Sequence, residues 1–236
     1  MRKSLFALVI LFTIQIINCK YVLAENNIYI QDYLFAREKQ WPEWNLSNYN
    51  SSNLKKDLIY PKWFEGDWLV TAIDLNNTIQ ESIVYKVNFT KNDFGEIIAN
   101  RKKNSESIGK EIYGDRFLKV KVDPKSFNNQ IVYLGNEEYI ESRITGRTQI
   151  FDNDLFFADE FFIQTVHKPE ASRINQVEVM SKFYRCEETN PKIDFSKNRE
   201  ICGFQYLATY GSKVGNSSVK AISTSKYKLI FTTLEN

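Results

Sequence analysis

The chain is predicted to be all-β, a single antiparallel up-and-down β-barrel of about nine or ten strands, preceded by an aromatic N-terminal arm. Three observations predict it. Alternating apolar runs recur from Asp67 to Thr233, and turn residues separate them at short intervals. Almost no stretch repeats at the helical period, and the brief connections suit a meander better than the long crossings of a Greek key. With 236 residues, 43% hydrophobic and 14% aromatic, the chain can bury one core of that size.

The leading segment carries Arg2 and Lys3, an apolar run from Leu5 to Ile17, and Val22-Leu23-Ala24 with small or branched residues at the minus-three and minus-one positions. That pattern reads as a secretory signal peptide, residues 1–24, cut after Ala24. The apolar run is shorter than the roughly 18 residues of a membrane span and is interrupted by Thr13 and Gln15. Loss of Arg2, Lys3 and Lys20 brings the balance of 31 basic and 29 acidic residues close to neutrality, which argues against a nucleic-acid partner. Cleavage also removes Cys19, leaving Cys186 and Cys202; an oxidising compartment pairs them, and two free buried thiols are the alternative.

Residues 25–56 read as an extended arm, aromatic and polar without a period. Within it Trp41-Pro42-Glu43-Trp44 places two indoles around a proline, a candidate docking surface or an anchor packed on the barrel. The barrel domain, 57–236, opens at YPKWFEGDWLVT, from Tyr60 to Thr71. Pro61 holds the incoming chain extended, Gly66 permits a backbone angle closed to other residues, and Trp68, Val70 and Ala72 share one face. Gly66 and Trp68 are read as closing one end of the barrel.

Strands are expected over Asp67–Leu75, Ser82–Thr90 and Phe94–Asn100, then a short helix from Ser105 to Tyr113 stopped by Gly114. Arg116–Val122 follows, with turns at Asp123-Pro124 and across Asn128-Asn129, then Gln130–Leu134 and Glu138–Ile150. In the last of these Ile140, Ile144 and Ile150 fall on one face and Glu141, Arg143, Thr145 and Arg147 on the other, either a solvated exterior or a polar barrel lining. Leu155–His167 is apolar on both faces, as a strand buried on two sides would be. Arg173–Cys186, Glu200–Tyr210 and Lys220–Thr233 complete the series, and a disulfide would clip the polar loop Glu187–Arg199.

Catalytic constellations are sparse. His167 is the one histidine, and no G-x-S-x-G elbow accompanies it. Asp159 and Glu160 are adjacent, so on a strand they point to opposite faces. A buried carboxylate of this pair needs a cation, with Arg143, Arg147 and Arg185 as candidates; a structural ion pair and an acid–base role are the two readings. No metal-ligand spacing and no phosphate loop occur, so the expectation is a non-enzyme without a cofactor.

Asp57-Leu58-Ile59-Tyr60-Pro61, Trp63-Phe64-Glu65-Gly66-Asp67-Trp68, Ser107-Ile108-Gly109, Gly114-Asp115-Arg116, Ala158-Asp159-Glu160 and Tyr184-Arg185-Cys186 together resemble an uncharacterised family of exported cyanobacterial and plastid proteins. The resemblance implies a location in or near the thylakoid lumen and no known function. Gly66-Asp67-Trp68 also resembles the G-x-W opening of lipocalins, which implies a lipocalin/calycin-like barrel, although Lys226 and Lys228 stand where an arginine would cover the Trp. Two functions follow as expectations: a barrel holding an apolar small molecule such as a pigment, quinone or lipid, or an assembly factor docking on a photosynthetic membrane complex.

Overall fold

The structure, a computed structural model, describes residues 28–46, 54, 56–77, 82–123, 126–186, 200–211 and 219–234. The expected signal peptide and the loop 187–199 lie outside the described residues. The chain divides into a unit ending at Trp41 and a unit beginning at Pro42. In the first, residues 28–39 form a helix, α1, where an extended arm was expected. Ile30, Tyr33, Leu34 and Arg37 carry the helical spacing that the polar residues between them hide.

The second unit is one curled antiparallel sheet of ten strands. In chain order these are β1 (Gly66–Asp74), β2 (Ile83–Lys91), β3 (Ile97–Ala99), β4 (Phe117–Asp123), β5 (Ser126–Leu134), β6 (Tyr139–Phe151), β7 (Leu155–His167), β8 (Ser172–Arg185), β9 (Glu200–Tyr210) and β10 (Ala221–Thr233). Their order across the sheet is β3-β2-β1-β10-β9-β8-β7-β6-β5-β4. Every sequential pair is hydrogen-bonded except β3 and β4, and β1 pairs with β10, Trp68 opposite Thr233. The barrel is therefore not closed, contrary to the closed up-and-down expectation. It is a half-barrel whose seam lies between β3 and β4.

The chain leaves β3 as a helix, α2 (Arg101–Tyr113), instead of a hairpin turn, and that opens the seam. Asn100 caps α2, its side chain accepting from the Lys103 N–H at 3.2 Å, and Gly114 ends it at a φ of 53°. The helix starts four residues before the expected Ser105, because Asn100 supplies the cap. It packs against β2 on one side and against β4 and β5 on the other. Asn104 accepts from the Asn88 N–H at 2.7 Å and donates to the Asn88 carbonyl at 3.1 Å, while Ser107 Oγ accepts from the Lys86 N–H at 2.9 Å. Side chains of α2 thus satisfy the free edge of β2 as a neighbouring strand would. Toward β5, Ser105 Oγ donates to Gln130 at 3.0 Å, and Gly109 lets the Phe117 ring of β4 approach so closely that a Cβ would sit 2.5 Å from it.

The inner face is filled at one end. A 3₁₀ turn, Lys62–Phe64, drives Phe64 into the concavity, where it is fully buried among Phe89, Phe156, Phe183 and Phe231. Tyr60 stacks on Phe156 with centroids 4.5 Å apart. Trp68, Val70 and Ala72 point inward as the alternation required, and Trp68 Nε1 donates to the Phe64 carbonyl at 2.7 Å. Gly66 takes a φ of 132°, the left-handed angle that lets the chain turn from this plug into β1. Lys226 lies over the Phe204 and Tyr206 rings instead of near Trp68.

Both faces of β7 are covered over its first part, where Phe156 and Ala158 belong to the inner core and Phe157 and Asp159 are fully buried on the opposite side, whereas residues 160–167 are half-buried, not buried on two sides as expected. Asn128 and Asn129 lie within β5 and do not form the expected turn; Asn128 donates to the Leu54 carbonyl at 2.8 Å. Cys186 and Cys202 are disulfide-bonded, their Cα atoms 5.1 Å apart. Trp44 is completely buried beside Tyr206, and its carbonyl accepts from the Ala221 N–H at 2.9 Å. It anchors the chain along β10, and its indole is not presented for docking. Trp41 belongs to the other unit and is half-buried.

Candidate functional site at the open seam

Four charged groups meet at the seam, and a bulge in β6 makes this arrangement possible. Glu141, Arg143 and Thr145 are exposed, so that part of the polar face is a solvated exterior. Between Ile144, opposite Phe162, and Gly146, opposite Phe161, β6 carries one extra residue. The extra residue reverses the alternation, so Arg147 leaves its expected face and turns inward opposite Glu160. Ile150 moves the other way, to the face of Phe157, and no longer shares a side with Ile140 and Ile144.

Arg147 retains 2% side-chain exposure and meets Glu160 Oε1 at 3.1 Å through Nη2 and 3.2 Å through Nε. Its Nη1 donates to the Lys56 carbonyl and lies 3.6 Å from Asp57, and its guanidinium sits over the Phe127 ring at 5.3 Å. Arg101, the first residue of α2, grips Asp57 with Nε at 3.0 Å from both carboxylate oxygens, with Nη2 closer still, and reaches Glu160 at 3.5 Å. Burial works against the charge of Arg101, but Glu160 and Asp57 outweigh it and hold its proton above the usual arginine range. For Arg147 burial prevails, with Arg101 adding repulsion, and its pKa is lowered. Burial, reinforced by Glu160, likewise raises the Tyr60 hydroxyl.

Asp57 arrives on a strap, residues 56–60, that crosses the seam. The side-chain amide of Gln149 clips Ile59, accepting from its N–H at 3.0 Å and donating to its carbonyl at 2.8 Å. Leu58 enters the core, and the Tyr60 N–H donates to the Ile97 carbonyl on the edge of β3 at 2.8 Å. Beside the strap a cleft of about 400 Å³ opens between β3 and the β4–β5 hairpin. Ile98, Ala99, Val122 and Phe127 supply apolar wall, Asp57 and Arg101 reach its lining from the ion cluster, and Thr90 and Lys102 also line it.

Of the sequence candidates, Glu160 and Arg147 come together. Asp159 is buried on the opposite face, as its adjacency to Glu160 requires; Arg143 and Arg185 are exposed. Asp57 and Arg101 were missed as site residues, since only tertiary folding brings the strap and the helix start to β6 and β7. His167 stacks on Tyr139 at 4.1 Å and shares a 3.1 Å hydrogen bond with Ser172. Among the described residues no three His, Cys, Asp or Glu side chains converge as a metal site would need, and no described helix is long and apolar enough to cross a membrane.

A family profile described as Domain of unknown function (DUF6816) matches residues 73–235. The chain belongs to this family. The matched stretch holds Arg101, Arg147 and Glu160, whereas Asp57 and the aromatic plug precede it. No curated protein and no solved structure matches the chain. The DUF6816 match leaves function open, so the site's own chemistry must carry any proposal.

Proposed function

We propose that the protein is an exported, non-enzymatic binder of an apolar small molecule, a pigment, quinone or lipid, in the thylakoid lumen or periplasm of a cyanobacterium or plastid. The observation that carries the binding reading is the seam cleft, apolar on its walls and bounded at one side by charged groups held in fixed geometry, the usual composition of a small-molecule site. The plug of Tyr60, Trp63 and Phe64 occupies part of the concavity where the closed-barrel expectation put the ligand, which moves the favoured site to the seam. The leader-like residues 1–24 and the Cys186–Cys202 disulfide support export.

Native mass spectrometry of protein purified from its own membranes, with an absorption spectrum, tests the reading. A bound mass or a chromophore is expected; a clean apo mass with no absorption beyond the aromatic band counts against it.

A second reading, docking on a photosynthetic membrane complex, draws support from Phe94. It sits on the β2–β3 connection, 88% exposed, at the end of the sheet where Phe151 is also exposed. Capture of a complex from solubilised membranes that Phe94→Ser abolishes would favour this reading over the first.

A further inference from the structure

We infer that the seam cleft selects an uncharged amphiphile whose polar end is a hydrogen-bond acceptor such as a ketone, ester or quinone oxygen, and rejects carboxylates and amines of equal length. This rests on the binding reading and names its ligand class.

The first argument is charge balance. Asp57 and Glu160 face Arg101 and Arg147, and each carboxylate already accepts from a guanidinium. At the cleft lining Lys102 and Asp123 again contribute one charge of each sign. An incoming carboxylate on the same arginine would set a third anion beside Asp57 and Glu160 against two cations. An incoming ammonium would likewise set a third cation against two anions. With Asp57 and Glu160 14% exposed and Arg101 21%, either unmatched ion costs more than the new pair returns.

The second argument is donor supply. Arg101 keeps 21% side-chain exposure against 2% for Arg147 and contributes to the cleft lining. Asp57 uses its Nε and Nη2, and Glu160 uses Nη2 again. Its Nη1 makes no hydrogen bond among the described residues, which leaves N–H donors beside an apolar wall on a cation whose charge is already neutralised. A neutral oxygen satisfies those donors without disturbing the pairing, and an alkyl or ring body then lies along Ile98, Ala99, Val122 and Phe127.

The test uses three probes of matched chain length, 2-nonanone, nonanoate and nonylammonium, titrated calorimetrically at neutral pH into the full chain and into two variants. The ketone is expected to bind about tenfold or more tightly than either ion, a difference of about 1.4 kcal/mol. Thr90→Trp, at an exposed position of the cleft lining, should weaken ketone binding about tenfold or more with the fold intact. Asp57→Asn removes one negative charge and should shift preference toward nonanoate. Equal binding of nonanoate and 2-nonanone to the unsubstituted protein overturns the selectivity while leaving the binding reading standing. Ketone binding indifferent to Thr90→Trp overturns the placement in the seam. No binding of any probe, joined to a clean apo mass of the native protein, removes both.

Discussion

Arg147 shows how much one inserted residue changes. Its sequence neighbours Glu141 and Arg143 are solvated, yet the extra residue in β6 carries Arg147 from water to a position 2% exposed, where Glu160, Asp57 and the Lys56 carbonyl compensate it. Arg147→Met should therefore lower stability by about 3–5 kcal/mol in urea unfolding, because Glu160 loses its principal cation in a poorly solvated place. Adding Glu160→Leu should recover most of that loss; a double variant no better than the single one would show that packing against Phe127, not charge, is what matters there. The buried tyrosines set the alkaline limit. Burial raises Tyr60, with Glu160 adding to it, and pushes Tyr85 up to about 12. Folding favours their neutral forms, so this contribution is complete below the unfolded tyrosine value of about 10 and is lost as pH rises toward the folded values. Absorbance titration of tyrosinate should show a late phase at or above about pH 12 that coincides with unfolding, and Tyr85→Phe should shrink it.

At the scale of elements, α2 stands where a closing strand would stand in a complete barrel. Asn104 serves both backbone groups of Asn88, and Ser107 serves Lys86. Asn104→Ala should cost about 1–3 kcal/mol by leaving the part-buried Asn88 N–H without its partner, while the Asn88 carbonyl keeps the Asn100 N–H at 2.9 Å. Faster amide exchange at Asn88 than at Val87, which points toward β1, is the local signature; equal acceleration of both would mean the whole sheet had loosened. Much at this level was legible in the sequence. Alternation and turn residues located all ten strands within a few positions, and Leu155–His167 and Glu200–Tyr210 coincide with the observed strands. The strap and α1 were not legible as elements. The strap is held by contacts with distant partners, Gln149, Arg147 and Ile97, and has no period of its own. In α1 the spacing of Ile30, Tyr33, Leu34 and Arg37 was present, but flanking aromatic and polar residues masked it.

For the whole sheet, the pairing of β1 with β10 moves the opening away from the chain ends and places it at the β3–β4 connection. The aromatic plug then stabilises the concavity from within. Phe64 is fully buried and touches rings from β2, β7, β8 and β10, so Phe64→Ala should cost about 3–5 kcal/mol. A smaller cost, measured by thermal or urea unfolding, would mean that the surrounding rings collapse into the space.

Composition, alternation and turn chemistry by themselves determined an antiparallel β domain, the inward set Trp68, Val70 and Ala72 and the left-handed turn at Gly66. These depend on local backbone preference, and neighbours in the sequence suffice to express them. Only the tertiary structure decided that the barrel stays open, that Arg147 faces inward, and that Asp57 and Arg101 join Glu160 beside a cleft. Those outcomes depend on strand register and on one bulge, where a shift of a single residue exchanges the two faces of a strand, and no local pattern records it.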